Sequence, residues 1–291
     1  MGLFSNYDTP GRGVLKTPHE KKGFFKFWEI YGRHMWKLME LNLLYFLFCL
    51  PSFAAVILGL MTFNPLWLVF CIPGIIIGPA TAAMTRVTRN FSQERPAFVM
   101  HDFFKSFKLN LKQGLIMGLI DNLFVVWLIV GIPIYKSLAE RDSMMYIPFV
   151  ISLACALMFV MMHFYIYQMM CSTNLTMVQI LKNSLFLVNL SIKQTIYTLL
   201  STIIVLMLVY LFMPYTYFLI PFFPMTFITF VACFNCYPVI RKHVIMPYYE
   251  QRGELDPETA AAMSDPDEAL FVDKAAEETP VKAAKKVKKI R

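Results

Sequence analysis

The chain has 291 residues, of which 57% are hydrophobic and 16% are charged, and its formal net charge is +8 at pH 7. A soluble domain carries roughly 25% charged residues, so this composition excludes an ordinary water-soluble globule. The apolar stretches are continuous rather than alternating, which argues against a transmembrane β-barrel. The sequence therefore predicts an all-α polytopic membrane protein, a bundle of helices embedded in the lipid bilayer.

The first long apolar stretch covers residues 41–85 and contains no Asp, Glu, Lys or Arg. A helix crosses the hydrocarbon core with about 20 residues, and Asn64-Pro65 near the middle favours a turn. We therefore expect two spans, at about 41–62 and 65–85. Four further apolar stretches follow, at residues 114–135, 146–170, 195–213 and 215–240. The sequence thus predicts about six transmembrane helices.

Lysine and arginine are distributed unevenly between the two sides of these spans. Of the 27 basic residues, only Lys136 and Arg141 fall on one side, and the remaining 25 fall on the other. Because basic residues are enriched in cytoplasmic loops, we expect a multi-pass plasma-membrane protein with both termini in the cytoplasm. The basic residues are spread over every inner loop, which argues against a nucleic-acid partner.

Three regions of the chain differ in composition. Residues 1–40 are rich in basic side chains, and residues 20–39 within them combine an aromatic face with basic flanks, a pattern typical of a helix in the membrane interface. We expect a cytoplasmic N-terminal segment here, followed by a six-helix membrane domain at 41–246. Residues 247–291 are charged and poor in apolar side chains, which predicts a disordered cytoplasmic tail.

A second amphipathic segment, residues 98–113, separates the second and third predicted spans. We expect it to lie along the cytoplasmic surface, with its apolar stripe in lipid and its charged face open to a partner protein. The apolar stripe comprises Val99, Phe103, Phe107 and Leu111. The candidate docking residues are Asp102, Lys105, Lys108 and Lys112, together with Arg89 at the end of the second span.

Arg89 follows a run of small residues, Gly78 to Ala83, of the kind that lets membrane helices approach closely. Three roles remain open for this arginine. The first is packing at the inner end of the second span, the second is docking of a partner, and the third is an ion pair with Asp102.

Three polar residues inside predicted spans form a candidate intramembrane polar site: Asp121, Asn122 and His163. A charge within hydrocarbon is costly, and such residues usually face the protein interior and often mark function. The alternatives are a structural hydrogen bond or helix cap for Asp121 and a neutral, helix-bonded imidazole for His163. Spacing alone does not connect the two residues.

The sequence lacks the common catalytic and cofactor-binding motifs. It contains no nucleotide-binding glycine loop, no HExxH and no G-x-S-x-G. Cys233 and Cys236 have a metal-like spacing, but no second pair accompanies them, so we expect the cysteines to act as small apolar packing residues. The sequence predicts no enzyme, no cofactor and no metal site.

Several short motifs resemble those of the YesL family of bacterial membrane proteins, a family of unknown function. They are Leu41-Asn42-Leu43-Leu44, Leu50-Pro51, Gly78-Pro79-Ala80-Thr81-Ala82-Ala83, Arg89-Asn90-Phe91, Glu94, Asp102-Phe103, Asn110, Lys112-Gln113 and Tyr237-Pro238-Val239-Ile240. The resemblance implies a Gram-positive bacterial context and frequent genetic association with carbohydrate-uptake systems.

Two functional hypotheses follow from these features. The first is an accessory or regulatory component of carbohydrate uptake, which contacts the lipid bilayer and a sugar-transporter component through residues 98–113. The alternative is a small-solute transporter in its own right, with Asp121 near the path of the solute or of a proton.

Overall fold

The computed structural model describes residues 23–62, 74–254 and 256, and every regular element in these residues is helical. The all-α prediction is confirmed for this part of the chain. Ten α-helices occur in it: α1 (Gly23–Thr62), α2 (Ile77–Ser92), α3 (Val99–Leu109), α4 (Leu111–Val126), α5 (Ile132–Arg141), α6 (Tyr146–Ser172), α7 (Met177–Leu190), α8 (Ile192–Leu211), α9 (Pro224–Ile240) and α10 (Met246–Glu250). A π-helical turn, Trp127–Gly131, joins α4 to α5.

Within the described residues, four helical stretches are long and apolar enough to cross a membrane. They are Gly23–Ala54, Leu111–Arg141, Ser143–Ser172 and Ile192–Leu211. The chain therefore has the character of an integral membrane protein. The second and sixth predicted spans correspond to shorter helices, because α2 has 16 residues and α9 has 17. Part of the second span, up to residue 73, lies outside the described residues, and six crossings remain a prediction.

Two of the three compositional regions lie largely outside the described residues. These are the N-terminal segment up to residue 22 and the charged tail beyond Glu254, apart from Asp256. The chain divides into two compact units, of which the first ends at His243. The second unit contains α10, in which Tyr248 stacks with Arg252 at 4.2 Å from ring centroid to guanidinium.

α1 corrects the prediction of a separate interfacial helix. It is one 40-residue helix, about 60 Å long at 1.5 Å per residue. Part of its aromatic face packs on protein, since Tyr31 is 4% exposed and its ring lies 5.1 Å from that of Phe227 in α9, whereas Phe24 is 69% exposed. Phe27 likewise contacts the ring of Phe230. An apolar stripe is stabilised by lipid or by a neighbouring helix, and its periodicity does not distinguish the two.

α2 lies at the centre of the bundle and packs against α1, α3, α4, α6 and α9. Ala80, Ala83, Met84, Val87 and other residues of α2 are buried in the main apolar core. Small side chains allow neighbouring helices to come close, as is usual in membrane bundles. The prediction that the small-residue stretch packs closely therefore agrees with the structure.

Glycines make the crossing of α2 and α4 especially tight. A Cβ atom added to Gly78 would lie 2.0 Å from the carbonyl oxygen of Gly114 and 2.7 Å from the nitrogen of Gly118. A Cβ atom on Gly118 would lie 2.2 Å from the carbonyl oxygen of Ile75. Gly114 and Gly118 form a Gly-x-x-x-Gly motif on α4, and they face Gly78 of α2, so the two backbones can touch directly.

α3 corrects the prediction of a helix lying in lipid over residues 98–113. The helix ends at Leu109, and α4 begins at Leu111 after a break at Asn110, whose side-chain amide donates to the carbonyl oxygen of Ser106. Phe103 is fully buried, and its ring lies 5.6 Å from that of Phe48 in α1. The part of the apolar stripe within α3 therefore packs on the protein, whereas Leu111 is exposed.

Candidate intramembrane polar site

Asp121 lies on α4 and faces α6. Its Oδ1 lies 2.8 Å from Nε2 of His163, and its Oδ2 accepts a hydrogen bond from the hydroxyl of Tyr167. His163 and Tyr167 stand four residues apart on α6, so both project from the same face of that helix. The structure thus joins two of the sequence-predicted site residues and adds Tyr167, which the sequence analysis did not select.

Asn122 has a different environment from Asp121. Its side chain lies against Gly74, since a Cβ atom on that glycine would stand 2.6 Å from Oδ1 of Asn122. Neighbouring residues on a helix point about 100° apart. Asn122 therefore faces the segment that precedes α2, whereas Asp121 contacts α6.

His163 is held by two hydrogen bonds. Its Nδ1 lies 2.9 Å from the carbonyl oxygen of Phe159, one turn earlier on α6. A carbonyl oxygen only accepts, so Nδ1 carries a hydrogen, and Nε2 is left to share a proton with Asp121. The side chains of His163 and Asp121 are 28% and 27% exposed, so the pair is partly open on one side.

A cavity of about 160 Å³ adjoins this pair, between α2, α6 and α9. It is large enough for several water molecules or a small solute. Its wall combines hydroxyl, imidazole and amide groups with a few apolar side chains. The lining residues are Thr81, Thr85, His163, Phe164, Tyr167, Gln168, Ile228, Thr229 and Ala232.

α1 also reaches this wall. The hydroxyl of Tyr45 lies 2.9 Å from Oγ1 of Thr81, and Tyr45 is 7% exposed. Four helices therefore supply polar groups to the same region: α1, α2, α6 and α9. The sequence signal that could have found this site was the clustering of Thr and Gln near the predicted inner ends of apolar spans.

The candidate docking residues separate into two groups. Arg89 is only 9% exposed, and its Nη1 donates to Oγ of Ser172 at 2.5 Å. Its guanidinium also lies over the ring of Tyr237, 5.2 Å from the centroid. Arg89 thus makes contacts within the bundle. Asp102 accepts a hydrogen bond from the backbone N–H of Phe98 and so caps its own helix.

The lysines of the docking group face outward. Lys105, Lys108 and Lys112 are exposed. A shallow groove on α3 is lined by Met100, His101, Phe104, Lys105 and Lys108. The structure therefore presents a basic and apolar face on α3.

The cysteines lie mainly in the packed interior. Cys233 and Cys236 are buried in α9, and Sγ of Cys236 lies 3.6 Å from Oγ1 of Thr198. Cys71 lies outside the described residues. Among the residues that the structure describes, no group of three His, Cys, Asp or Glu side chains is placed to hold a metal ion.

The fold and the apolar helices define a helical integral membrane protein with a polar cavity among its helices. Residues 60–132 match a family model described as "Protein of unknown function, DUF624". The matched region includes α2, α3 and α4, and hence Asp121. This match is consistent with the resemblance to a YesL-type family. Comparisons with curated proteins and with solved structures returned no match.

Proposed function

We propose that this protein binds a small polar solute in the cavity between α2, α6 and α9 and passes it across the membrane. The observation that carries the proposal is the Asp121–His163–Tyr167 network, which opens on a polar cavity inside an otherwise apolar bundle. Ionisable groups in a membrane are expensive and usually mark a substrate or proton path. A solute path would account for both the polar network and the cavity beside it.

The depth of the network supports this proposal. Lys112, on α4, is exposed and lies in one of the basic segments that are predicted to face the cytoplasm. Asp121 follows nine residues later, about 13 Å further along the helix. In a hydrocarbon core of about 30 Å, this distance supports a position of the carboxylate inside the membrane.

The proposed membrane arrangement has six crossings and cytoplasmic termini. Three contacts support it by joining the predicted inner segments at one end of the bundle. Arg33 of α1 pairs with Glu94 at 3.0 Å, and the amide of Gln113 donates to the carbonyl oxygen of Leu175 at 3.0 Å. The bond from Arg89 to Ser172 is the third.

Transport is tested with the full chain purified and reconstituted into vesicles. Asp121→Asn keeps the shape of the side chain but removes its charge. If Asp121 lines the path, this variant loses solute flux while its abundance in the membrane stays near that of the wild type. Equal loss of flux and abundance would instead assign Asp121 a structural role, and unchanged flux would contradict the proposal.

A second function is favoured by the exposed face of α3. On this hypothesis the protein is an accessory component of carbohydrate uptake, and Lys105, Lys108 and Lys112 dock an acidic surface of a transporter component. The YesL resemblance supports the association with carbohydrate uptake. Rim charges tune association more than they stabilise a fold, so a docking face of this kind can vary without loss of the bundle.

Co-isolation from native membranes tests the second function. Lys105→Glu with Lys108→Glu should weaken recovery of a transport component, with an effect that depends on salt. The matched pair Lys105→Gln and Lys108→Gln lowers attraction to anionic lipid but adds no repulsion toward an acidic partner. Equal recovery of the component with the glutamate variant and the wild type would exclude docking through this face.

A further inference from the structure

The threonines of the cavity wall use their hydroxyl hydrogens within their own helices. Thr81 donates to the carbonyl oxygen of Ile77 at 2.8 Å, and Thr85 donates to that of Thr81 at 2.7 Å. Thr229 donates to the carbonyl oxygen of Met225 at 2.9 Å. A hydroxyl has one hydrogen and two lone pairs. Each of these threonines therefore offers a solute only an acceptor.

The tyrosine and histidine of the cavity wall likewise use their hydrogens in bonds within the protein. Tyr167 donates its hydroxyl hydrogen to Asp121. His163 has one ring nitrogen on the carbonyl oxygen of Phe159 and the other on Asp121. Neither side chain keeps a hydrogen for a solute.

Gln168 adds an acceptor without a partner. It is 2% exposed, and its Nε2 donates to the carbonyl oxygen of Phe164 at 2.6 Å. Its Oε1 is buried and has no hydrogen-bond partner in the described part of the chain. An unpaired buried acceptor is unfavourable, so a ligand that donates to it gains affinity. Among the described polar lining groups, the second amide hydrogen of Gln168 is the one donor left.

The charge of the site further restricts the class of ligand that can bind. Asp121 and His163 share one proton, so the pair is neutral overall whether the proton resides on the carboxyl or on the imidazole. An anion would meet acceptors on nearly every side, and an uncompensated cation is costly to bury in an apolar bundle. Tyr45 does not change this balance, because Thr81 uses its hydrogen on Ile77 and accepts from the tyrosine hydroxyl.

We propose that the cavity selects small uncharged solutes that donate hydrogen bonds through O–H or N–H groups, and that it rejects anions. This inference deepens the proposed function, since it names the solute class for the same cavity. The ligand donates hydrogen bonds to Gln168 and to the threonine hydroxyls. The cavity volume of about 160 Å³ limits the ligand to a molecule with few non-hydrogen atoms.

Binding is tested by thermal unfolding of the full chain in detergent with three probes. Ethylene glycol supplies two donors, 1,2-dimethoxyethane has the same oxygens without hydrogens, and formate is an anion. Ethylene glycol should raise the melting temperature of the wild type more than that of Thr85→Val or Gln168→Leu. Loss of one acceptor should weaken its binding about five- to tenfold.

Thr202→Val is the matched control. Thr202 makes the same type of bond, from its hydroxyl to the carbonyl oxygen of Thr198 at 2.8 Å, but it does not line the cavity. Ethylene glycol should raise the melting temperature of this variant as much as that of the wild type. The comparison separates binding in the cavity from the general effect of a co-solvent on stability. An equal response of the wild type to 1,2-dimethoxyethane, or saturable binding of formate, would overturn the inference.

The two proposals fail separately. If ethylene glycol stabilises the wild type over the Gln168→Leu variant but no solute moves in vesicles, the solute class stands and transport is rejected. If formate moves as fast as ethylene glycol through reconstituted protein, transport stands and the solute class is wrong.

Discussion

Nε2 of His163 lies 2.8 Å from Oδ1 of Asp121, although 42 residues separate the two along the chain. The contact joins α4 to α6, two helices of mainly apolar composition. Since Nδ1 of His163 already donates to the carbonyl oxygen of Phe159, the contact with Asp121 requires one shared proton. Removal of either partner leaves the other with one hydrogen bond only, from Tyr167 to Asp121 or from His163 to Phe159.

The first prediction concerns this pair. His163→Leu and Asp121→Leu should each lower the free energy of unfolding by about 1–3 kcal/mol, because each removes one hydrogen bond of a partly buried polar group. The double variant should lose less than the sum of the two losses, since each single loss already includes the Asp121–His163 bond, while the hydroxyl of Tyr167 loses its acceptor in both variants that lack Asp121. Unfolding of the purified variants in detergent measures this coupling, and strictly additive losses would show that the pair does not stabilise the fold.

The second prediction concerns the crossing of α2 and α4. Gly114→Ala should be destabilising by about 1–3 kcal/mol or more, because an added Cβ atom would stand 2.7 Å from the backbone of Pro79. Gly32→Ala in α1 is the matched control. A Cβ atom there meets nothing within 4 Å, and alanine favours a helix by up to about 1 kcal/mol. Equal melting temperatures of the two variants would contradict the close crossing.

The third prediction concerns Arg89. Its bonds to Ser172 and its stacking on Tyr237 lie inside the bundle, so Arg89→Ala should lower the melting temperature and the membrane abundance. Lys105→Ala, at an exposed position of α3, should leave both nearly unchanged, because surface substitutions usually change stability by less than about 0.5 kcal/mol. A normal melting temperature for Arg89→Ala would return this residue to the docking hypothesis.

The fourth prediction concerns topology. A reporter fused after Arg291 and one inserted at Asp142, between α5 and the turn before α6, should report opposite sides of the membrane. The reason is that 25 of the 27 basic residues fall in segments predicted to share the side of the termini. Activity of the Arg291 fusion outside the cytoplasm would refute the proposed orientation.

The sequence by itself determined the class of protein. The low fraction of charged residues and the continuous apolar stretches require a lipid environment, and helices are the only open-ended elements that satisfy their backbone there. Asp121 could also be selected from the sequence, because it is the one acidic residue in its predicted span. These conclusions depend on local composition, which needs no knowledge of which helices are neighbours.

Only the tertiary structure decided which polar groups meet. The partners of Asp121 lie 42 and 46 residues away on α6, and their contact depends on the rotation of both helices. The same limit applies to Phe103, whose stripe predicted burial correctly but not the surface that covers it. Lipid and a neighbouring helix are equally apolar. Helical periodicity therefore predicts which face of a helix is shielded from water, but it does not predict whether protein or lipid contacts that face. The packing of the helices determines which of the two does.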